Sequence, residues 1–492
     1  MTISLSAQTL AAVSGRADVP RYRQGDITPG IVHFGVGNFH RAHQAVYLDD
    51  LFNLGRDHDW GIVGAGVRPT DKAMRDTLKG QDWLTTVVEQ EADASAARVT
   101  APMIDYLTPG DSAAILDKLA DPAIRIVSLT ITEGGYYIDP ATQTFDPAHP
   151  EIVYDAQNPA APKTVFGLIL AGLKRRRDGG LEPFTVMSCD NIPGNGHVTE
   201  NAVAGLAELS DPALAAWVRE AVAFPNSMVD RITPATSDRE RALLERDFHI
   251  ADAWPVFCEG FKQWVMEDHF PAGRPALEAV GVTFVPDVAP YELMKIRILN
   301  GGHATIAYPA GLLDIHFVHE AMETPLIRDF LAKVEHDEII PVVPPVPDTN
   351  LGEYYQLIER RFANPKIGDT ITRLCLDGSN RQPKFILPSA ADRLKAGQSV
   401  TGLALVSALW ARYCYGETES GKSIAPNDPN WDRLVAQAKK AKADPKAWLE
   451  MGDIFGPLAQ DPAYVAAFTH ALRTLWAVGT RETLTRYLEG RL

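Results

Sequence analysis

The sequence predicts an α/β protein, with an N-terminal doubly wound domain over residues 1–286 and a second, largely helical domain over residues 287–492. Three observations predict this fold class. Apolar strand-like segments alternate with helical segments over residues 30–191, which is typical of a mostly parallel sheet. Strand patterns become scarce after about residue 290. The length of 492 residues favours two domains over one hydrophobic core.

The first predicted strand, its glycine turn and a helix lie in "GIVHFGVGNFHRAHQAVYLDDLF", which begins at Gly30. Further strands are predicted from apolar or β-branched runs at residues 60–67, 84–90, 102–107, 124–137 and 183–191. Helical spacing marks residues 163–177 between them and, in the second domain, residues 291–313, 325–334, 351–362, 401–415 and 464–488. The proline-rich stretch "IIPVVPPVPDTN" predicts a loop inside the second domain.

Composition and charge exclude several function classes. The net charge of −16 repels nucleic acid and anionic membranes, so neither is an expected partner. No apolar run approaches the ~20 residues that a membrane span needs, and the N-terminus does not resemble a secretory signal, which indicates a cytoplasmic protein. The four cysteines, at positions 189, 258, 375 and 414, are too dispersed for a disulfide framework or a structural zinc site.

The glycine turn is a candidate dinucleotide site. Gly35 and Gly37 directly follow the first strand, where a Rossmann-like domain needs a tight turn and close backbone approach to a pyrophosphate. His40 stands in place of the third glycine of the usual motif, and a residue of that size is expected to loosen helix–strand packing or shift the phosphate. After the second strand, Asp71 could accept hydrogen bonds from a ribose and favour NAD, whereas Arg68 could tolerate NADP. The structural alternative for both residues is a solvated loop pair.

A second polar cluster lies in "MKIRILNGGH". At ~100° per residue, Asn300 lies about 140° and His303 about 80° from Lys295, so the three can share a broad helix face. A desolvated lysine can act as a base, an asparagine amide can polarise an oxygen, and a histidine can orient a substrate. Spacing alone nevertheless favours the structural alternative of a solvated lysine, an Asn-Gly cap and a core histidine.

Two strand ends carry further candidates. Asn191 follows the strand "FTVMSCDN", and Glu133 follows "SLTIT"; ligands of doubly wound sheets bind beyond the carboxyl ends of strands. Asn191 could therefore face a cofactor, and Glu133 could relay a proton. The alternatives are that Asn191 begins a turn and that Glu133 caps a loop.

Several long motifs, in the same order along the chain, resemble the family of polyol-specific long-chain dehydrogenases. They are most similar to the members of that family that oxidise mannitol. These motifs are "GVGNFHRAHQA", "SLTITEGGYYID", "FTVMSCDN", "MVDRITP", "CEGFKQWVMED" and "MKIRILNGGH", which span nearly the whole chain. The resemblance implies a monomeric, metal-independent enzyme that interconverts D-mannitol and D-fructose, with D-arabinitol as an alternative substrate and NAD or NADP as cofactor.

The resemblance also implies residue roles. Lys295 matches the family's general base, Asn191 and Asn300 its oxyanion hole, His303 a substrate ligand and Glu133 a proton route. Substrate hydroxyl contacts are expected from Asp230 and Arg373, and cofactor contacts from Gly35, Gly37, Phe39, His40, Arg68 and Asp71. Thr70 stands where mannitol-oxidising members can carry a second acid, which weakens the expectation of strict NAD selectivity.

Two rival functions remain open at this point. A uronate reductase of the same family, acting on fructuronate and mannonate, would share most of these motifs and need an extra cation for the carboxylate. Gly134 in "TEGGY" and the stretch "DGSNRQPKF" favour the polyol enzymes. A catalytically silent dinucleotide-binding protein would keep the glycine turn without needing Lys295 and both asparagines.

Overall fold

The computed structural model describes residues 2–139 and 144–492, which divide into two compact units, residues 1–289 and 290–492. The strands all lie in the first unit: β1 (Ile3–Ser4), β2 (Pro29–Phe34), β3 (Gly61–Ala65), β4 (Thr85–Gln90), β5 (Ser95–Thr100), β6 (Met103–Tyr106), β7 (Ile126–Leu129), β8 (Thr185–Ser188), β9 (Ser227–Asp230), β10 (Ile250–Ala251), β11 (Val256–Glu259), β12 (Gln263–Glu267) and β13 (Thr283–Val285).

The main sheet of the first unit is parallel throughout, in the order β6-β3-β2-β7-β8. The chain leaves β2 to one side for β3 and β6, then crosses to the other side for β7 and β8, so the carboxyl end of β2 is a topological switch point. Buried strands covered by apolar clusters on both faces explain the near-continuous hydrophobic runs in the sequence. The predicted fold class is confirmed.

The sequence patterns located strands, but they did not show which strands pair with each other. Residues 84–90 form the predicted strand, but β4 lies outside the main sheet, pairing in parallel with β11 and antiparallel with β5. A further sheet, in the order β13-β12-β9, is built from strands that the sequence did not single out. The strand predicted over residues 124–137 is also shorter, since β7 ends at Leu129 and a 3₁₀ turn follows at Glu133–Tyr136.

Helices of the first unit cover the sheets. They are α1 (Leu10–Val13), α2 (Asn38–Ala42), α3 (Gln44–Asn53), α4 (Asp71–Lys79), α5 (Ser112–Leu119), α6 (Pro150–Gln157), α7 (Val165–Asp178), α8 (Asn195–Glu208), α9 (Pro212–Ala221) and α10 (Asp238–Phe248), with 3₁₀ turns at Gln24–Asp26 and Leu277–Val280. Helix α7 was predicted at residues 163–177; Thr164 caps it by accepting a hydrogen bond from the Gly167 N–H at 2.9 Å.

The second unit is helical, and its described residues, 290–492, contain no named strand. Its helices are α11 (Ala289–Met294, from the unit boundary), α12 (Gly301–Leu312), α13 (Val318–Glu323), α14 (Pro325–Val334), α15 (Leu351–Phe362), α16 (Ile371–Leu374), α17 (Gly378–Phe385), α18 (Leu387–Lys395), α19 (Thr401–Tyr413), α20 (Trp431–Ala441), α21 (Lys446–Leu449), α22 (Gly452–Phe455) and α23 (Pro462–Leu488). Shorter 3₁₀ turns lie at Ile340–Val342, Pro365–Ile367 and Gly456–Gln460.

The helices predicted at residues 325–334 and 351–362 are confirmed as α14 and α15, and that at 401–415 as α19. The last predicted helix, α23, is divided at Gly479, whose φ of 80° is not helical. None of the helices among the described residues is long and apolar enough to span a membrane.

The segment predicted as one helix over residues 291–313 contains a π-helical turn, Lys295–Asn300, between α11 and α12. The 100° spacing assumed from the sequence therefore does not hold there. In a π-helix the hydrogen bonds join residues five apart, so Lys295 and Asn300 are brought towards the same side of the helix. Such turns occur frequently at functional sites.

A second π-helical turn, Glu335–Ile339, buries an acid. Glu335 is fully buried, and among the described residues neither carboxyl oxygen has a hydrogen-bond partner. It packs against α12, where a Cβ added to Gly302 would lie 3.2 Å from Glu335 Oε1. Burial raises the pKa of Glu335 well above its usual value, so the folded protein holds this carboxyl in its neutral form.

We expect Glu335 to lower stability as the pH rises. Above the ordinary glutamate pKa of about 4.3, the unfolded chain releases a proton that the folded chain keeps, at a cost of about 1.4 kcal/mol per pH unit. Glu335→Gln removes this titration, so its free energy of unfolding relative to wild type should increase from pH 5 to pH 7 in urea denaturation. The exposed Glu323→Gln is the control. Parallel stability curves for wild type and Glu335→Gln would contradict the assignment.

Candidate active site

The glycine turn lies at the carboxyl end of β2, at the switch point of the main sheet. Gly35 has a φ of +94°, and a Cβ at this position would collide with the backbone carbonyl of Thr130 on the neighbouring chain segment. The Gly35 carbonyl accepts hydrogen bonds from Thr130 Oγ1 at 2.6 Å and from the Gly37 N–H at 2.7 Å. A Cβ at Gly37 would meet nothing closer than 3.8 Å, so the open side of the turn lies there.

His40 was expected to loosen the packing of the helix after the glycine turn, but it contributes to that packing. Its fully buried ring stacks on His33 of β2, with ring centroids 3.5 Å apart and planes at 14°. His40 Nδ1 lies 3.1 Å from Gln44 Oε1, and His33 Nδ1 lies 2.7 Å from Ser128 Oγ. Burial lowers the pKa of both histidines, that of His33 to about 3, so two neutral rings can stack. The expected loosening is therefore not observed.

Arg68 and Asp71 follow β3, the strand beside β2. Asp71 begins α4 and accepts a hydrogen bond from the Arg68 N–H at 3.0 Å, while its carboxylate packs over Gly66. The Arg68 side chain is exposed. An acid at the end of the strand next to the switch point is placed as a ribose-binding residue would be. Phe39, half-buried on α2, stacks on His43 with centroids 4.7 Å apart.

Glu133 and Asn191 follow adjacent parallel strands. Leu129 of β7 is paired with Ser188 of β8, so the segments leaving these strands emerge side by side at the carboxyl edge of the sheet. Both Glu133 and Asn191 are exposed. Asp230 ends β9 and is buried.

In the second unit, Lys295 is buried, with 8% of its surface exposed, at the first position of the π-helical turn. Asn300 ends that turn, and His303 lies in the first turn of α12. Asn300 Oδ1 and His303 Nε2 are both buried, and neither has a hydrogen-bond partner among the described residues. Buried polar atoms are normally satisfied, so such a pair is typical of a site that binds a polar ligand.

His303 lies against an aromatic ring and near three guanidinium groups. Its ring stacks on Phe362 of α15, with centroids 4.1 Å apart and planes at 13°. Its pKa is well below the usual value, first because of burial and then because of the guanidinium charges of Arg373, Arg361 and Arg381. The imidazole is therefore neutral, and Nε2 can donate or accept according to its tautomer.

Arg373, predicted as a substrate ligand, is a half-exposed residue of α16 whose guanidinium pairs with Asp369. Arg361 and Arg381 were not singled out from the sequence. They lie on α15 and α17, and only the packing of these helices brings them near His303. Arg381 donates a hydrogen bond to the Leu374 carbonyl at 3.0 Å. No sequence signal would have found these residues, because nothing in their spacing links three separate helices.

Among the described residues, no group of three or more histidine, cysteine, aspartate or glutamate side chains could hold a metal ion. The cysteines at positions 189, 258, 375 and 414 are buried free thiols.

Family models match both parts of the chain. Residues 29–279 match the mannitol dehydrogenase Rossmann domain, and residues 287–476 match the mannitol dehydrogenase C-terminal domain. A mannitol 2-dehydrogenase of Cereibacter sphaeroides is 61% identical over 470 residues, which cover 95% of this chain and 98% of that protein.

Two solved structures are similar over the full length. The Pseudomonas fluorescens mannitol 2-dehydrogenase, in a ternary complex with NAD and D-mannitol, is 42% identical with a TM-score of 0.88, covering 99% of this chain and 100% of that one. A substrate-free D-sorbitol dehydrogenase is 35% identical with a TM-score of 0.91, covering 98% and 100% of the two chains.

The two glycines of the turn should respond differently to an added methyl group. Gly35→Ala forces a positive φ on alanine and a clash with Thr130, so it should lower the free energy of unfolding by more than about 1 kcal/mol. Gly37→Ala should change stability by less than about 0.5 kcal/mol, since its Cβ meets open space. It should nevertheless weaken dinucleotide binding at least tenfold, because the methyl occupies the path of pyrophosphate approach.

Urea denaturation and NADH fluorescence titration measure the two effects. Wild-type NADH affinity in Gly37→Ala, or wild-type stability in Gly35→Ala, would contradict this account of the turn.

Proposed function

Because the chain belongs to the mannitol dehydrogenase family, we propose that it is an NAD-dependent polyol dehydrogenase that oxidises D-mannitol to D-fructose, with D-arabinitol as the alternative substrate. The observation that carries the proposal is the 61% identity to the Cereibacter sphaeroides mannitol 2-dehydrogenase over both domains. A similar protein has also been solved with NAD and D-mannitol bound.

The first unit fits the cofactor. The Gly35–Gly37 turn leaves space on its open side at the switch point, and Asp71 offers a carboxylate after the adjacent strand. We assign pyrophosphate binding to Gly35 and Gly37. Phe39 and His40 lie in α2, the helix that follows the turn, and are assigned to support it. Asp71 favours a free ribose hydroxyl, so NAD is the preferred cofactor, while the exposed Arg68 leaves NADP as the alternative.

The proposed reaction needs a base and hydrogen-bond donors for a developing alkoxide. A bound NAD would supply the acceptor for the hydride that leaves the carbinol carbon. Lys295 takes the proton from the substrate hydroxyl, and its burial shields the amine from bulk water. Asn191 and Asn300 are assigned to donate amide hydrogens to the alkoxide oxygen, and Glu133 to pass the proton to solvent.

The second unit offers groups suited to a polyhydroxylated substrate. Asn300 Oδ1 is a buried acceptor, and His303 Nε2 is a buried donor or acceptor according to its tautomer; neither has a protein partner among the described residues. A sugar alcohol presents hydroxyls at every carbon, and each hydroxyl can both donate and accept. We assign His303, Asp230 and Arg373 to these hydroxyls. The neutral state of His303 avoids placing a fourth positive charge beside Arg361, Arg373 and Arg381.

A substrate panel tests the function. Reduced cofactor is followed by its absorbance with NAD and with NADP against mannitol, arabinitol, sorbitol and mannonate. We expect the highest kcat/KM with mannitol and NAD. Turnover of mannonate alone would select a uronate reductase, for which the three guanidiniums near His303 could supply the cation. Tight NAD binding without turnover of any of them would identify a catalytically silent protein.

Lys295→Ala should lower kcat by about 10²–10⁴-fold, the usual contribution of a general base. NADH affinity measured by fluorescence should stay within threefold of wild type, since the lysine is assigned to the substrate. Lys333→Ala removes a lysine of α14 that pairs with Asp337; it is the control and should retain wild-type kcat. Near-normal turnover in Lys295→Ala would reject the base assignment.

Chelation tests the assignment of a lysine, rather than a metal ion, to activate the hydroxyl. Overnight dialysis against EDTA should leave kcat unchanged, because an amine base needs no Lewis acid. A lasting loss of activity that added Zn²⁺ restores would overturn metal independence.

A further inference from the structure

The residue before Asn191 joins two loops that carry assigned catalytic residues. We propose that Asp190 is a positioning residue that holds the Glu133 segment against the Asn191 segment. This inference rests on the proposed function, because that function assigns Glu133 and Asn191 their roles. All the contacts lie within the first unit.

The Asp190 carboxylate binds the segment that follows β7 through three donors. Its Oδ1 accepts the Thr132 N–H at 2.8 Å, and its Oδ2 accepts the Ile131 N–H at 2.9 Å. Oδ2 also accepts the Tyr136 hydroxyl at 2.7 Å, and Tyr136 is fully buried. One side chain thus binds the segment on both sides of Glu133, through the backbone of residues 131–132 and through the side chain of Tyr136.

The segment held in this way has an unusual backbone conformation. Thr132 has φ 65° and ψ 163°, a region that is essentially restricted to glycine. A β-branched residue keeps such a conformation only when its surroundings impose it. The two backbone N–H groups that Asp190 accepts belong to Thr132 and to the residue before it. We infer that these bonds impose the conformation, which sets the direction in which Glu133 leaves the sheet.

The backbone of Asp190 is fixed from the opposite side. Its N–H donates to Ser188 Oγ at 3.2 Å, and its carbonyl accepts the buried Asn195 Nδ2 at 3.1 Å. Asn195 is itself bonded to Ser227 of β9, whose N–H donates to Asn195 Oδ1 at 2.9 Å. The peptide that leads into Asn191 is therefore attached to β8, α8 and β9.

The carboxyl group of Asp190 suits this role, because its two oxygens can accept hydrogen bonds from all three donors at once. Its pKa is raised, first by burial and also by the charge of Glu133, although the hydrogen bonds from Tyr136 and the two backbone N–H groups oppose this rise. An asparagine at this position would present an NH₂ group to at least one donor, so Asp190→Asn should release the Glu133 segment while preserving side-chain size.

The chain contains a matched control for this substitution. Asp155 is also buried and also accepts two backbone N–H groups and one hydroxyl, from Lys163, from Thr164 and from the Thr164 side chain. It lies in helix α6, outside the two loops that carry Glu133 and Asn191. Asp155→Asn should reduce thermal stability as Asp190→Asn does, and it should leave kcat within twofold of wild type.

The decisive measurement is kcat against KM for mannitol in the full-length protein. Asp190→Asn should lower kcat about 30-fold or more, with KM for mannitol and NADH affinity within threefold of wild type. Tyr136→Phe, which removes one of the three donors, should lower kcat about threefold. Thr132→Gly should restore the kcat of Asp190→Asn at least fivefold, because glycine adopts the required φ and ψ without the hydrogen bonds to Asp190.

A folded Asp190→Asn variant with wild-type kcat would overturn the proposal, as would a loss of kcat that Asp155→Asn reproduces. Absence of rescue by Thr132→Gly would also overturn it. If Asp190→Asn fails to fold, the Tyr136→Phe result and the Asp190→Asn/Thr132→Gly double variant carry the same test.

Hydrogen exchange separates this proposal from the proposed function. The amides of Ile131 and Thr132 should exchange slowly in wild type and at least tenfold faster in Asp190→Asn. This result needs no substrate, so it holds even if the protein oxidises no polyol. Unchanged exchange of these amides would reject the positioning role of Asp190 and would leave the assignment of the reaction intact.

Discussion

The parallel pairing of β2, β7 and β8 is the constraint on which the candidate site of the first unit depends. Parallel strands end at the same edge, so the glycine turn, the Glu133 segment and the Asn191 segment leave the sheet as neighbours. The close approach of Gly35 to Thr130 follows directly from the pairing of β2 with β7. A side chain at Gly35 would push apart the segments that follow β2 and β7, and the glycine turn could not form.

Buried histidine rings that carry no charge are a second feature of the structure. The stacked rings of His33 and His40 replace the glycine that usually allows a helix to approach its strand, and burial keeps both uncharged. His303 is neutral for a similar reason, reinforced by nearby guanidiniums. Each of these rings packs as an aromatic surface while its nitrogens remain able to form hydrogen bonds, which a charged imidazolium could do only at a large desolvation cost.

Local sequence patterns predicted much of the fold. Alternating apolar strands and helices identified the doubly wound class, and helical spacing identified α14, α15 and α19. Patterns could not assign strand partners, because pairing joins residues far apart in the chain: β4 has the composition of a main-sheet strand but pairs with β11. The π-helical turn at Lys295–Asn300 was also invisible, since it contains the same residue types as an ordinary helix.

For the site, the sequence by itself determined the residue types and the family: a glycine turn after a strand, an acid after the next strand, and a helix carrying Lys295, Asn300 and His303. The roles assigned to these residues are still predictions. Only the tertiary structure decided how their surroundings are built. It showed that His40 packs rather than loosens, that Arg361 and Arg381 lie near His303, and that Asp190 binds the segment before Glu133. These contacts join separate elements, and hydrogen bonds and charges act through space rather than along the chain.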